Sequence, residues 1–181
     1  LTIKGESKKV LMQAPKNGFF YVIDRTNGEL LSAEKYVQAT WASHIDLETG
    51  RPVKTDLADY DDAEKLIFPG ALGGHNWMPM SYNPKTGLVY IPAQELYMPM
   101  KKDDEYEYDD KGWNTAGDLT VMAPPKNLLQ LMLLAKSIRG RLSAWDPVEQ
   151  KEVWKQYLTL PWNGGTLSTD GNLVFQGTSE G

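Results

Sequence analysis

The hydrophobic positions of this chain come in short runs, each closed by turn residues. The stretch "APKNGFFYVIDRTNG", residues 14 to 28, sets the pattern. Asn17-Gly18 and Asn27-Gly28 bracket the apolar run 19–23, which reads as a buried strand between two tight turns. Related turns occur in "IDRTNGELL" from Ile23, "IDLETGRPV" from Ile45, "YNPKTGLVY" from Tyr82 and "WDPVEQKEVW" from Trp145. In each, Asp or Asn opens a short turn, usually closed by Gly, with apolar residues on both sides, which is the chemistry of an antiparallel hairpin. Asp170-Gly171 inside "LSTDGNLVFQG" is a further hairpin signal. The pattern predicts an all-β chain. One stretch departs from it: an insertion at about 94–139 holds the acidic run 103–110 and a predicted helix over 125–138, started by Pro and rich in Leu, Met, Lys and Ala.

Repeated hairpins with recurring aromatic residues and glycines suggest a propeller of four-stranded blades. The turn-opening residues fall at 24, 46, 83 and 146, an irregular spacing that the insertion largely explains. In an antiparallel meander successive turns alternate between the two ends of the sheet. If the Asp- and Asn-opened turns share one end, Lys16 beside Asn17-Gly18 lies at the other. By the same parity His75, Asn76 and Trp77 of "GGHNW", and Trp162 and Asn163 of "PWNGG", join it.

Bulk properties narrow the function. With 181 residues, 41% of them hydrophobic, the chain can bury one core, so one domain spanning 1–181 is expected. A net charge of -5 and no basic cluster give no footprint for nucleic acid. The most apolar window, 128–135, is far short of the roughly 20 residues that span a bilayer. There is no Cys, which excludes disulfides, thiolate metal sites and a cysteine nucleophile within the chain. The first residue is Leu1 and the last residues are "GTSEG", so the chain is expected to be part of a longer polypeptide.

A face that presents an ammonium, amides and indole rings suits a flat, anionic, oxygen-rich ligand. Gly73-Gly74 and Gly164-Gly165 would let backbone approach such a ligand closely. The same residues also fit a solvated turn cation and tryptophans packed between blades, so the residues alone leave both readings open. No metal site is expected: the acidic run lacks the spacing of a calcium loop, and His44 and His75 lack metal-ligand spacing. Ser81, Ser168 and Thr169 have no paired base.

Five segments, "VLMQAPKNGFFYVIDRTNGELLSA", "WASHIDLETGRPV", "GGHNWMPMSYNPKTGLVYIPAQ", "LSAWDPVEQKEVWKQ" and "PWNGGTLSTDGNLVFQGTSEG", resemble in order the quinoprotein alcohol dehydrogenases that use pyrroloquinoline quinone (PQQ). The resemblance implies part of an eight-bladed β-propeller, with Trp154 of "AWDPVEQKEVW" as a ring of the family's tryptophan-docking type. It implies that Lys16 is the catalytic lysine, hydrogen-bonding the reactive quinone oxygens and steadying the charge they acquire. Asn76 and Trp77 resemble the pair that contacts the cofactor, and Trp162 and Asn163 are further candidate contacts. It also implies alcohol oxidation in the periplasm, electron transfer to a cytochrome or other acceptor, and the remaining propeller blades as partners. The catalytic aspartate and the Ca2+ ligands are expected outside this segment, and haem c is not inferable from it. Asp24 and Asp46 open turns at the wrong end and are assigned structural roles. A non-catalytic propeller scaffold fits the blade motifs equally well, but it gives no reason for Lys16, Asn76 and Trp77 to share a rim.

Overall fold

Turn chemistry repeats at one end of the molecule. In the computed structural model, which describes residues 1–180 (Leu133, Lys136 and Ser137 by backbone alone), the amides of Gly28, Gly50 and Gly87 donate to the carbonyls of Asp24, Asp46 and Asn83 at 2.8, 2.8 and 2.9 Å. The side-chain oxygens of Asp24, Asp46, Asn83 and Asp146 each accept from the amide two residues on, at 2.8–2.9 Å. A short polar side chain that bonds its own backbone in this way fixes the turn. The closing residue needs a left-handed backbone. Gly28, Gly50 and Gly87 have φ of +80°, +68° and +71°, and Gln150 takes the same role with φ +53° and no glycine.

These turns link antiparallel strands. A short hairpin, β1 (Thr2–Ile3) and β2 (Glu6–Ser7), leads into the meander β3 (Val10–Gln13), β4 (Phe19–Asp24) and β5 (Leu30–Lys35). A second hairpin follows, β6 (Ala42–Ile45) and β7 (Pro52–Lys54). Strand β8 (Lys65–Ile67) pairs with a strand later in the chain. A four-stranded sheet then runs in the order β9 (Ser81–Asn83), β10 (Leu88–Glu95), β12 (Arg139–Asp146) and β13 (Lys151–Leu158). The last pair is β14 (Thr166–Ser168) and β15 (Val174–Gln176). Among the described residues only one sheet has four strands. The meander stops at three because the chain after β5 turns away, carrying Tyr36 and Trp41 back to the loop before β4.

Residues 94–139 hold regular structure of their own. Strand β11 (Met98–Met100) pairs with β8, and Lys101 bridges to Asp118 at 3.2 Å. The helix, α1 (Leu128–Ser137), starts three residues later than the Pro signal predicts, because Asn127 caps it by accepting from the amides of Leu129 and Gln130. No helix among the described residues is long and apolar enough to cross a membrane.

Strand β4 is buried on both faces, which is why residues 19–23 read as an unbroken apolar run. Phe20 and Val22 point into a cluster with Val89, Ile91, Tyr36 and Trp145, the rings of Phe20 and Trp145 lying 5.8 Å apart. Phe19 points the other way, into Ala33, Ala39, Ala42 and Ile45. Burial of each such phenylalanine contributes about 1.5–3 kcal/mol, so β4 is the spine that holds the preceding loop in place.

Strand β13 is an edge, and it exposes Val153, Trp154 and Tyr157. Unpaired edges with large apolar side chains recruit other chains. The 181-residue segment made alone is therefore expected to self-associate, with a sedimentation profile dominated by species larger than a monomer. A monodisperse monomer that melts cooperatively would contradict this.

Candidate cofactor site

The loop between β3 and β4 carries Lys16 to the end of the molecule opposite the Asp-opened turns. Its side chain is exposed, and its ammonium donates one long hydrogen bond, 3.4 Å, to the carbonyl of Ala71. The loop 70–78 lies directly on it. Gly73 has φ +83°, and a Cβ there would sit 2.6 Å from Cα, Cβ and Cγ of Lys16. The next amide, Gly74 N–H, donates to the Lys16 carbonyl at 3.0 Å. Only glycine permits so close a crossing of backbone over a lysine stem.

Asn76 and Trp77 follow in the same loop. Asn76 bonds within it: Nδ2 donates to Leu72 O at 2.9 Å, and Oδ1 accepts from Trp77 N–H at 2.9 Å. Trp77 is 73% exposed and meets Trp162 edge to face, with ring centroids 6.3 Å apart and planes at 61°. Asn163 turns inward. It is buried, its Nδ2 donates to Leu160 O at 2.7 Å, and it packs against Gly140, where a Cβ would fall 2.4 Å from that nitrogen. The structure thus joins Lys16 to the loop of Asn76 and Trp77, joins Trp77 to Trp162, and places Asn163 behind them as a brace between loops.

The supporting side chains were not read from the sequence. Gln94, at the end of β10, is fully buried, and its Nε2 donates to the carbonyls of both Leu72 and Gly73 at 3.0 Å. Its own amide donates to Gly74 O at 2.8 Å, so one residue carries the loop 72–74 from beneath. Beside it Glu95 accepts from Arg139 Nε at 2.8 Å and Arg141 Nη1 at 3.1 Å, and Arg141 also reaches Glu152 at 3.2 Å and the Tyr36 carbonyl. The available signal was "AQE": polar residues closing a strand that is otherwise buried rarely occur without a structural demand.

Among the described residues Lys16 joins no ion pair, whereas Arg139 and Arg141 are matched by Glu95 and Glu152. Asp24 and Asp46 are at the other end. The Thr26 hydroxyl and amide hold the Asp24 carboxyl below its ordinary range, and the amides of Glu48 and Thr49 do the same for Asp46. Both carboxylates are occupied in their turns, in keeping with the structural roles expected of them. No group of three or more His, Asp or Glu residues able to hold a metal lies among the described residues. An exposed ammonium, two indole rings at an angle and a glycine loop together offer charge, stacking surface and close backbone approach. That donor set fits a planar anionic ligand rich in carbonyl oxygens.

No protein-family model matches the chain. It is 49% identical over 181 residues to the quinohemoprotein alcohol dehydrogenase ADH IIB of Pseudomonas putida, covering all of this chain and 25% of that protein. It is 42% identical over 189 residues to the 1-butanol dehydrogenase (cytochrome c) of Thauera butanivorans, covering 99% of this chain and 26% of that protein. Among solved structures it superimposes on the quinohemoprotein alcohol dehydrogenase ADHIIG of Pseudomonas putida HK5 with a TM-score of 0.91 and 44% identity, over all of this chain and 27% of that one. The chain spans about a quarter of the length of the curated relatives it matches. By sequence along its whole length and by fold, this chain is a homologue of one quarter of the quinohemoprotein alcohol dehydrogenases and shares their propeller architecture.

Proposed function

We propose that residues 1–181 are part of the eight-bladed propeller domain of a periplasmic, PQQ-dependent alcohol dehydrogenase, with an insertion at about 94–139, and that Lys16 faces the cofactor. The observation that carries this reading is the crossing of Gly73 over Lys16: the ammonium is exposed with one long contact, and the same loop carries Trp77, whose exposed ring meets Trp162. PQQ, when bound, supplies the two-electron acceptor for the alcohol.

The chain's own residues hold and polarise. Lys16 would hold its positive charge toward the oxygens of a bound cofactor and would steady negative charge there. Trp77 and Trp162 give apolar ring surface at the rim and keep water from it. Asn76 shapes the loop that presents Trp77, and Asn163 holds the strand ends beneath Trp162. The base that takes the alcohol proton and the Ca2+ ligands belong to parts of the protein outside this segment. Electrons pass to a cytochrome, in line with the cytochrome c named for the Thauera relative.

Titrating PQQ into the full-length apoprotein tests this. Tryptophan fluorescence should fall on binding, and both Lys16→Ala and Trp77→Ala should bind PQQ more weakly. A full-length protein whose fluorescence is unchanged by PQQ would defeat the reading and leave a non-catalytic scaffold.

A further inference from the structure

The backbone that carries Lys16 is held more firmly than the lysine itself. From Ala14 to Gly18, five carbonyls in a row have a partner from another part of the chain. A ring nitrogen of His75 lies 2.6 Å from Ala14 O. The Tyr36 hydroxyl donates to Pro15 O at 2.8 Å. Gly74 N–H donates to Lys16 O at 3.0 Å, Trp41 Nε1–H to Asn17 O at 2.8 Å, and Tyr36 N–H to Gly18 O at 3.0 Å. Three of these partners are side chains, and they come from three places: the end of β5, the start of the β6 hairpin and the glycine loop.

Each of the three is itself anchored. Tyr36 is 2% exposed, its carbonyl accepts from Arg141, and its hydroxyl is wedged against Gly74, where a Cβ would stand 3.0 Å from it. Burial pushes its phenol up, against the opposing pull of Arg141, so the hydroxyl keeps its proton and remains a donor. Trp41 packs edge-on against Phe19 at 6.0 Å. The second ring nitrogen of His75 lies 2.6 Å from Met78 O, so the imidazole ties the strand before Lys16 to the loop that ends beyond Trp77.

We propose that Tyr36, Trp41 and His75 are positioning residues that fix the backbone of Lys16, and so set where its ammonium stands relative to the Trp77 loop. This rests on the reading that Lys16 faces PQQ. A lysine has four rotatable bonds, and an ammonium with one long contact sweeps a wide volume unless its Cα is fixed and one side of its stem is blocked. The carbonyl clamp fixes the Cα, and Gly73 blocks the stem. Preorganised charge acts more strongly than charge that must be ordered during the reaction.

Buried carbonyls need partners in any fold, so the test must separate positioning from packing. PQQ affinity is measured by fluorescence titration of the full-length apoprotein for Tyr36→Phe and Trp41→Phe, each with Lys16 intact and with Lys16→Ala. Loss of one such hydrogen bond is expected to weaken PQQ binding by about fivefold when Lys16 is present. In the Lys16→Ala background the same substitution should change it by less than about twofold, since the residue acts through Lys16. Equal losses in both backgrounds, or no loss with Lys16 present, overturn the clamp. If Lys16→Ala alone leaves PQQ affinity unchanged, the cofactor reading falls, and the clamp with it. Should Tyr36→Phe fail to fold, Trp41→Phe carries the same comparison by itself.

Discussion

Replacing Lys16 by alanine in the full-length protein is expected to lower kcat for alcohol oxidation by about 10²–10³-fold, the usual cost of removing one preorganised donor from a site where negative charge develops. The expectation rests on placement. The ammonium is exposed, makes one 3.4 Å contact and joins no ion pair among the described residues, so it contributes little to folding. Its removal should leave stability within about 0.5 kcal/mol of the parent, as for other surface substitutions. A large kinetic loss beside an unchanged melting temperature marks a residue that acts on the reaction and not on the fold. Steady-state kinetics with an artificial electron acceptor, together with a thermal melt, measure both. A kcat within a few fold of the parent would remove Lys16 from the chemistry.

Gly73→Ala is expected to be strongly destabilising. Two costs add. At φ +83° an L residue loses about 1–2 kcal/mol relative to glycine. The new Cβ would stand 2.6 Å from three atoms of Lys16, two of them Cα and Cβ, which cannot swing aside as a flexible side-chain end would. Overpacking of this kind costs about 1–3 kcal/mol. The sum is about 2–5 kcal/mol, read as a drop in the denaturant midpoint. Gly28 supplies the control: its φ is +80°, but a Cβ there meets nothing within 4 Å, so Gly28→Ala should cost only the backbone part, about 1–2 kcal/mol. Equal losses at the two positions would mean that Gly73 does not press on Lys16. Where Gly73→Ala still folds, the displaced lysine should also weaken PQQ binding, whereas Gly28→Ala should not.

Much of this arrangement was legible in the residue pattern, because turns are local chemistry. Asp24, Asp46, Asn83 and Asp146 each announce a turn whose geometry is settled within five residues, and parity then sends Lys16, Trp77 and Trp162 to the opposite end. The apolar run of β4 signals a strand buried on both faces. Long-range polar contacts carry no such signal. Gln94 and Tyr36 are single residues at strand ends, and their partners lie 21–22 residues away in sequence, so no period or spacing reveals them. Asn163 reads as a rim amide beside Trp162, yet the space above Gly140 draws its side chain inward. Gln150 shows that a left-handed turn position can be filled without glycine, since Asp146 still announces a turn of the same build as the other three.

The central claim is that Lys16 faces PQQ from the end of the propeller it shares with Trp77 and Trp162. A structure of the full-length protein with PQQ bound tests it most directly. The account predicts Lys16 Nζ within hydrogen-bonding distance of the cofactor's oxygens, at about 2.7–3.2 Å, with Gly73 still crossing its stem. PQQ bound elsewhere, with Lys16 facing open solvent, would contradict it.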